Sequence, residues 1–315
     1  MPIRFDAVRH HFDANETLFF ARELESIEKT TYEFKEKELK YRKFVPVSNR
    51  DNPGAESITY HMLGKVGMAR IISDYSHDLP RADVYGKEYT QSVKTVGISF
   101  GYNTQEIRAA IMANKPLDTM KADAARRALR EKESSIVWTG DTEHNIIGLL
   151  NNPNIAVVAS QNGAASSPTW ALKTADEIIN DVRIMTSRVR TQSKGVHNAD
   201  TLLLPIDQYD ILATKPRSVN SDTTVLEYLQ KPGNSFGLTT IDWLPTELDN
   251  AFTGGTEDGA ICYERSAEVL EQRIPLELQL LPIQAKGLEF VIPGESRHGG
   301  VVVRYPLAMV FFTGI

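Results

Sequence analysis

Between residues 174 and 280 the polar–apolar pattern alternates helical and strand periods; before and after that stretch it does not. Thr174 and Glu177 stand at capping-box spacing, and Ile178, Val182 and Met185 or Val189 follow on one helical face. TLLLPIDQYDILAT predicts a buried strand running into a short helix, and SDTTVLEYLQ predicts a helix capped by its Asp or Ser. Strands are expected around GLTTIDWL, GAICYE and EVLEQRI, so this stretch reads as a compact α/β layer.

The first hundred residues carry a different rhythm. Asp13 and Glu16 predict a cap for a helix over 13–29 with Phe20, Leu24 and Ile27 in line, and TTYEFKEKELKYRKFVPV then reads as strand. After the turn cluster NRDNPG come SITYHML, GMARIIS and the long alternating DVYGKEYTQSVKTVGISFGY. These strands hold too few large apolar residues for a sandwich core. They predict an extended ribbon flanked by solvent, which must lean on something else because two strands alone are marginal in water.

Asn103 with Glu106 caps the next predicted helix, whose apolar face is Ile107, Ala110 and Ile111. Pro116 suits the first turn of another helix over Leu117–Trp138, about 33 Å long, with Leu117, Met120, Ala124, Ala128, Ser135 and Ile136 as its stripe and Gly140 as a left-handed stop. LELQLLP, GLEFVIP and RHGGVVVRYPLAMVFFTGI end the chain as strands. Gly299-Gly300 should open the last one, Pro306 should mark a bulge or edge, and Met309 to Phe312 should be buried beside the long helix.

Composition narrows the function. The 315 residues are 41% hydrophobic and 24% charged, which is ordinary globular territory. The single cysteine, Cys262, excludes a disulfide framework, and no apolar run reaches the length of a membrane helix. The seven histidines lack metal-ligand spacing, so no metal is expected, and no cofactor loop or nucleophile elbow is present. Asp74, Asp78 and Asp83, with Arg70 and Arg81 nearby, read as surface ion pairs. Trp138-Thr139-Gly140-Asp141 reads as a helix end and not as an acidic catalytic turn. Charge is uneven: residues 174–292 carry a net −8 and the remainder +2. Arg126, Arg127 and Arg130 form a basic group on the long helix, diluted by Asp123, Glu131 and Glu133. Such a group would hold nucleic acid weakly and without regard to sequence. No catalytic constellation emerges, and the expectation is architecture, not an enzyme.

Five segments in chain order sharpen that expectation: AESITYHMLGKVGMARIISDYSHDLPRADV, SFGYNTQEIRAAIMANKPLDTMKADAARRALREKE, TGDTEHNIIGLLNNPNI, NADTLLLPIDQYDILATKPRSVNSDTTVLEYL and KGLEFVIPGESRHGGVVVRYPLAMVFFTGI. Together they resemble the major capsid proteins of tailed double-stranded DNA phages, the α+β fold named after phage Hong Kong ninety-seven. The resemblance implies an N-terminal arm and first strand at 1–44 and an extended β loop at 45–100. It further implies a peripheral domain with its spine helix at 101–173, an axial domain at 174–280, and closing strands of the peripheral domain at 281–315. It implies a structural protein that assembles with itself as pentamers and hexamers into an icosahedral head around double-stranded DNA, with portal and decoration proteins as further partners and no membrane or cofactor. The protein would belong to the virion and be assembled in the host bacterial cytoplasm, with Arg126, Arg127 and Arg130 facing the DNA. No Lys–Asn cross-linking pair of the namesake phage can be matched. Two alternatives stand beside this reading: an encapsulin-type nanocompartment shell, and an α/β enzyme with an unrecognised site.

Overall fold

The computed structural model describes residues 35–71, 80–113, 117–218, 220–231, 233, 236–252 and 257–315. The helix expected over 13–29, as well as Asp74 and Asp78, lies outside them. Where a strand was expected near residue 41, the chain makes a helical turn, α1 (Tyr41–Phe44), before the short β1 (Val47–Ser48). Tyr41 and Phe44 stand three apart and are both buried, so one turn of helix sends both rings inward, which alternation cannot do.

β2 (Ser57–Val66) and β3 (Asp83–Ser92) pair antiparallel over ten residues as a two-stranded ribbon. Residues 67–71, expected to be a strand, have no regular structure. The expected long strand over 83–102 is in fact two. Val93 is buried and gives its N–H to Glu56 O at 2.8 Å as the ribbon's last bond; β4 (Lys94–Asn103) then joins another sheet. α2 (Thr104–Ala113) follows under an Asn103–Glu106 cap, with Gln105 N–H on Asn103 Oδ1 at 3.2 Å.

α3 (Leu117–Trp138) has the predicted bounds but a different buried face. Ala125, Leu129, Glu133, Ser134, Ile136, Val137 and Trp138 are covered, while Ala124, Ala128 and Ser135 are exposed. The stripe misses by one position because Glu133, counted as polar surface, is buried among partners described below. Gly140, with φ +72°, turns the chain as expected, and β5 (Gly140–Asp141) pairs with β6 (Ile146–Ile147).

After β7 (Ala156–Ala159), α4 (Ala175–Gln192) starts at the predicted capping box: Glu177 N–H reaches Thr174 Oγ1 at 3.4 Å and Thr174 N–H reaches Glu177 Oε2 at 2.8 Å. β8 (Thr201–Pro205) and α5 (Ile206–Thr214) match the reading. α6 (Val225–Gln230) is capped by Thr224 with Glu227, not by the Asp or Ser upstream. β9 (Thr240–Leu244), β10 (Gly259–Tyr263), β11 (Leu270–Arg273), β12 (Leu276–Leu280), β13 (Gln284–Lys286), β14 (Glu289–His298), β15 (Gly300–Val303) and β16 (Met309–Thr313) complete the chain. Pro306 makes no bulge. It opens a 3-10 turn, Pro306–Ala308, that carries the chain from one sheet to another.

The centre is a five-stranded mixed sheet in the order β7-β16-β10-β8-β9. Its three inner strands, β16, β10 and β8, read as nearly unbroken apolar runs because both faces are buried. Leu202, Leu204, Cys262, Val310 and Phe312 pack with Ile178, Val182, Met185 and Val189 of α4. On the other face Leu203, Ile261, Tyr263, Met309 and Phe311 share a core with Phe44, Val45, Val137 and Trp138. The closing strand therefore meets the end of α3 with one face and α4 with the other. Burial pushes the Cys262 thiol up to about 12, so it stays protonated in the sheet.

Two further sheets flank this centre. β1, β11 and β15 form one, and β4 pairs with β14 over ten residues to form the spine of the other, with β12 and β13 on β14's far edge. β14 runs through Pro293, which the reading took as a strand end. Pro293 faces the break between β12 and β13, where only its carbonyl is used, by Leu281 N–H at 2.8 Å. Its missing N–H therefore costs no ladder bond. Phe312→Ala should lower stability by about 3–5 kcal/mol in denaturant unfolding, whereas the half-exposed Phe290→Ala should cost far less.

Candidate assembly surfaces

The ribbon β2–β3 is exposed along most of its length, so its attachment decides where it points. At its root lies Glu271 of β11, 1% exposed and surrounded by guanidinium groups. Arg50, just before the ribbon, reaches it at 2.9 Å; Arg273, two residues along β11, at 2.9 Å; Arg304, just after β15, at 2.8 Å. Arg273 also pairs with Asp51 at 3.2 Å. A buried carboxylate without such partners would cost several kcal/mol, so the cluster forms as a unit or not at all.

Arg304 carries this anchoring outward. Its guanidinium lies 6.0 Å from the Tyr60 ring, Tyr60 stacks on Tyr89 at 5.3 Å, and Lys87 sits 4.8 Å over Tyr89. Burial, and then the neighbouring Tyr89, raise the Tyr60 hydroxyl above its ordinary value. The register puts Tyr60, Met62 and Gly64 on one face with Tyr89, Lys87 and Tyr85. A Cβ at Gly64 would meet the end of the Tyr85 ring, which would have to swing aside into solvent. A cleft of ≈ 710 Å³ separates this face from Val301, Val303 and Leu307 on the body.

Beyond the ladder the ribbon's end is apolar and uncovered. Leu63, Val66, Met68, Val84 and Tyr85 are each more than half exposed, and Ile71 is fully so. A second uncovered surface lies where α2 and α3 meet the long sheet. No side chain of α2 is buried, and a groove of ≈ 440 Å³ runs between Tyr102, Ile107, Ala122, Ile283, Phe290 and Ile292. Clustered apolar side chains left uncovered in this way are candidate contact surfaces.

The basic group of α3 is more neutral than the sequence suggests. Arg126 pairs with Asp123 at 3.0 Å and Arg127 with Glu131 at 3.0 Å. Arg130 is exposed and lacks an ion-pair partner among the described residues. Arg126 and Arg130 are exposed on α3 and Arg127 is half-buried. Glu133 does not dilute them. It is buried, and accepts hydrogen bonds from Tyr41 and from Arg42 at 2.9 Å.

One grouping was not expected from the sequence. Asp141, Glu143 and His144 bring their ligand atoms within 4.8 Å of one another. Lys132 already holds Asp141 Oδ2 at 3.1 Å and His144 Nδ1 holds Oδ1 at 2.9 Å, which together push the carboxyl down to about 2. The arrangement closes the turn after α3. Glu133, Glu271 and His298, all buried, were also missed. Nothing in their local sequence distinguishes them from surface charges.

Comparison with known proteins gives a consistent picture. A family model described as major capsid protein matches residues 67–315. The capsid of Myoviridae phage XM1 superposes with a TM-score of 0.81 at 20% identity, covering 95% of this chain and 99% of that one. A Mycobacterium phage Ogopogo structure gives 0.61 at 12% identity, over 94% and 99%. A virus-like particle from Pyrococcus furiosus gives 0.55 at 15% identity, over 86% and 90%. No curated protein matches the chain.

Replacing Glu271 by Gln leaves the largely covered Arg273 and Arg304, and the exposed Arg50, without their shared charge. Stability should fall by about 3–5 kcal/mol. Hydrogen exchange should show the loss first at residues 47–60, at the ribbon's root.

Proposed function

We propose an assembly mechanism for this chain, which belongs to the major capsid protein family and has the Hong Kong ninety-seven-type capsid fold. It is a structural subunit of phage heads, and its partners are first of all copies of itself. The ribbon reaches over a neighbouring subunit and lays its apolar end on that neighbour's body, while copies gather as pentamers and hexamers around the α4-bearing layer. The observation that carries this reading is the ribbon itself: a rigidly rooted pair of strands whose far end exposes Leu63, Met68 and Ile71 to no partner within the described residues.

In this scheme residues 1–44 act as the arm, 45–100 contain the extended loop, 101–173 and 281–315 build the peripheral domain, and 174–280 build the axial one. The closing segment serves both layers, since β15 lies with α3 and β16 with α4. Ring closure demands that each subunit present different surfaces to its two neighbours, and many modest contacts then sum to a persistent shell. The ribbon end and the groove beside α2 supply two such surfaces.

The same scheme turns the outer side of α3 inward, with Arg126, Arg127 and Arg130 toward packaged double-stranded DNA. Paired with Asp123 and Glu131, they leave a small positive excess that would touch phosphates without fixing them. Portal and decoration proteins, virion residence and assembly in the bacterial cytoplasm complete the scheme. The nanocompartment alternative is less favoured, because the virus-like particle fits with a TM-score of 0.55 against 0.81 for the phage capsid.

The double substitution L63E and I71E should leave the subunit's unfolding free energy within about 0.5 kcal/mol of the parent, since both residues are surface positions. It should abolish closed shells in electron micrographs and in sedimentation. Shells forming at the parent's yield would remove the ribbon from the mechanism. Shells that enclose protein cargo in place of nucleic acid would favour the nanocompartment.

A further inference from the structure

Where α1, α3, β12 and β14 meet, four ionisable groups gather around a buried imidazole. His298, at the end of β14, is 1% exposed, and its Nε2 lies 2.9 Å from Ser296 Oγ. Its Nδ1 has no hydrogen-bond partner among the described residues and faces Glu133 Oε1 of α3 at 3.7 Å. Glu133 is itself 2% exposed and already engaged: the Tyr41 hydroxyl donates to Oε2, and Arg42 Nη2 donates to both oxygens at 2.9 and 3.0 Å. Arg42 has a second partner on its outer side, Glu277 of β12, at 2.9 Å. The remaining charges near His298 do not compete for Glu133. Lys94 of β4, its register partner, is exposed, and Arg273 of β11 is engaged with Glu271 and Asp51.

The charge count of this node is informative. With a neutral imidazole, two carboxylates face one guanidinium, a net −1 beneath the start of the described fold. A proton on His298 would bring the node to zero and place a donor 3.7 Å from an oxygen that now serves α1. Arg42 could yield that oxygen without losing its charge partner, because Glu277 remains. Glu133 is therefore the shared element of a two-position device.

We propose that Glu133 exchanges partners with pH: at neutral pH it clamps the Tyr41–Arg42 turn to α3, and when His298 takes up a proton the carboxylate moves to the imidazolium and releases that turn. Burial holds the imidazole below the ordinary histidine value, and Glu133 and Glu277 oppose that shift. The sign follows. The unfolded chain binds this proton first as pH falls, so the stability linked to His298 is whole above about 6.5 and drains away as pH drops through that value toward the lower folded one. Below the folded value the loss stops and the turn is loose.

Two exchange measurements on the purified chain, in one assembly state at all pH values, test this. Deuterium exchange at histidine C2 should be slow at His298 and titrate below the ordinary histidine value of about 6.5. Amide exchange over residues 41–45, corrected for its intrinsic pH dependence, should lose protection roughly tenfold or more between pH 7 and 5. In His298→Asn that pH dependence should vanish, leaving protection flat. The proposal is overturned if His298 titrates at or above the ordinary histidine value, if residues 41–45 keep their protection at pH 5, or if His298→Asn loses it as the parent does. Should the variant not fold, the two measurements on the parent chain decide alone.

Discussion

A carboxylate removed from water must be surrounded by positive charge, and in this protein that requirement, met at Glu271, sets the geometry of everything beyond the core. Its three arginines come from three places in the chain: the approach to the ribbon, the strand β11 itself, and the exit from β15. None can be withdrawn cheaply, because a buried charge left partly paired costs more than the pair contributes. The ribbon's root, the inner three-stranded sheet and the final crossover are thus tied at a single point. The aromatic ladder from Arg304 through Tyr60 and Tyr89 to Lys87 extends this order along two strands that have no core of their own.

The division of labour that results suits a shell subunit. The five-stranded sheet, whose three inner strands are buried on both faces, supplies a stiff body. The uncovered apolar surfaces lie at the ribbon end and beside α2, away from that sheet. In the proposed scheme, stability and assembly are thereby carried by different residues. The α+β capsid fold gains its persistence from repetition, and each contact can remain modest.

Legibility in the sequence followed the range of the interaction. Thr174 with Glu177 is local chemistry, and the start of α4 could be read directly. The apolar runs of β8, β10 and β16 likewise announced strands buried on two sides. The face of α3 could not be read, because Glu133 is drawn inward by Tyr41 and Arg42, some ninety residues earlier. Thr224 displaced the expected cap because four candidate capping residues stand in a row in SDTT and only one has Glu three positions later. The division of the 83–102 run depends on Glu56 binding Val93, a pairing that no alternation reveals. Of the surfaces, the ribbon's exposure was visible as a shortage of large apolar residues. The arginines on α3 were visible as a group, but the pairs that temper them emerge only from side-chain geometry.

Val93 has a mechanical meaning. β3 ends at Ser92 and β4 begins at Lys94, so a single buried residue is the whole joint between an arm of about 33 Å and a sheet strand of similar length. There is no loop to absorb slack. A push on the ribbon's free end therefore becomes torque on β4 and, through ten paired residues, on β14 and the base of α3. In a closed lattice such a crank would let one subunit feel how its neighbour is seated, with no unfolding at any point along the line.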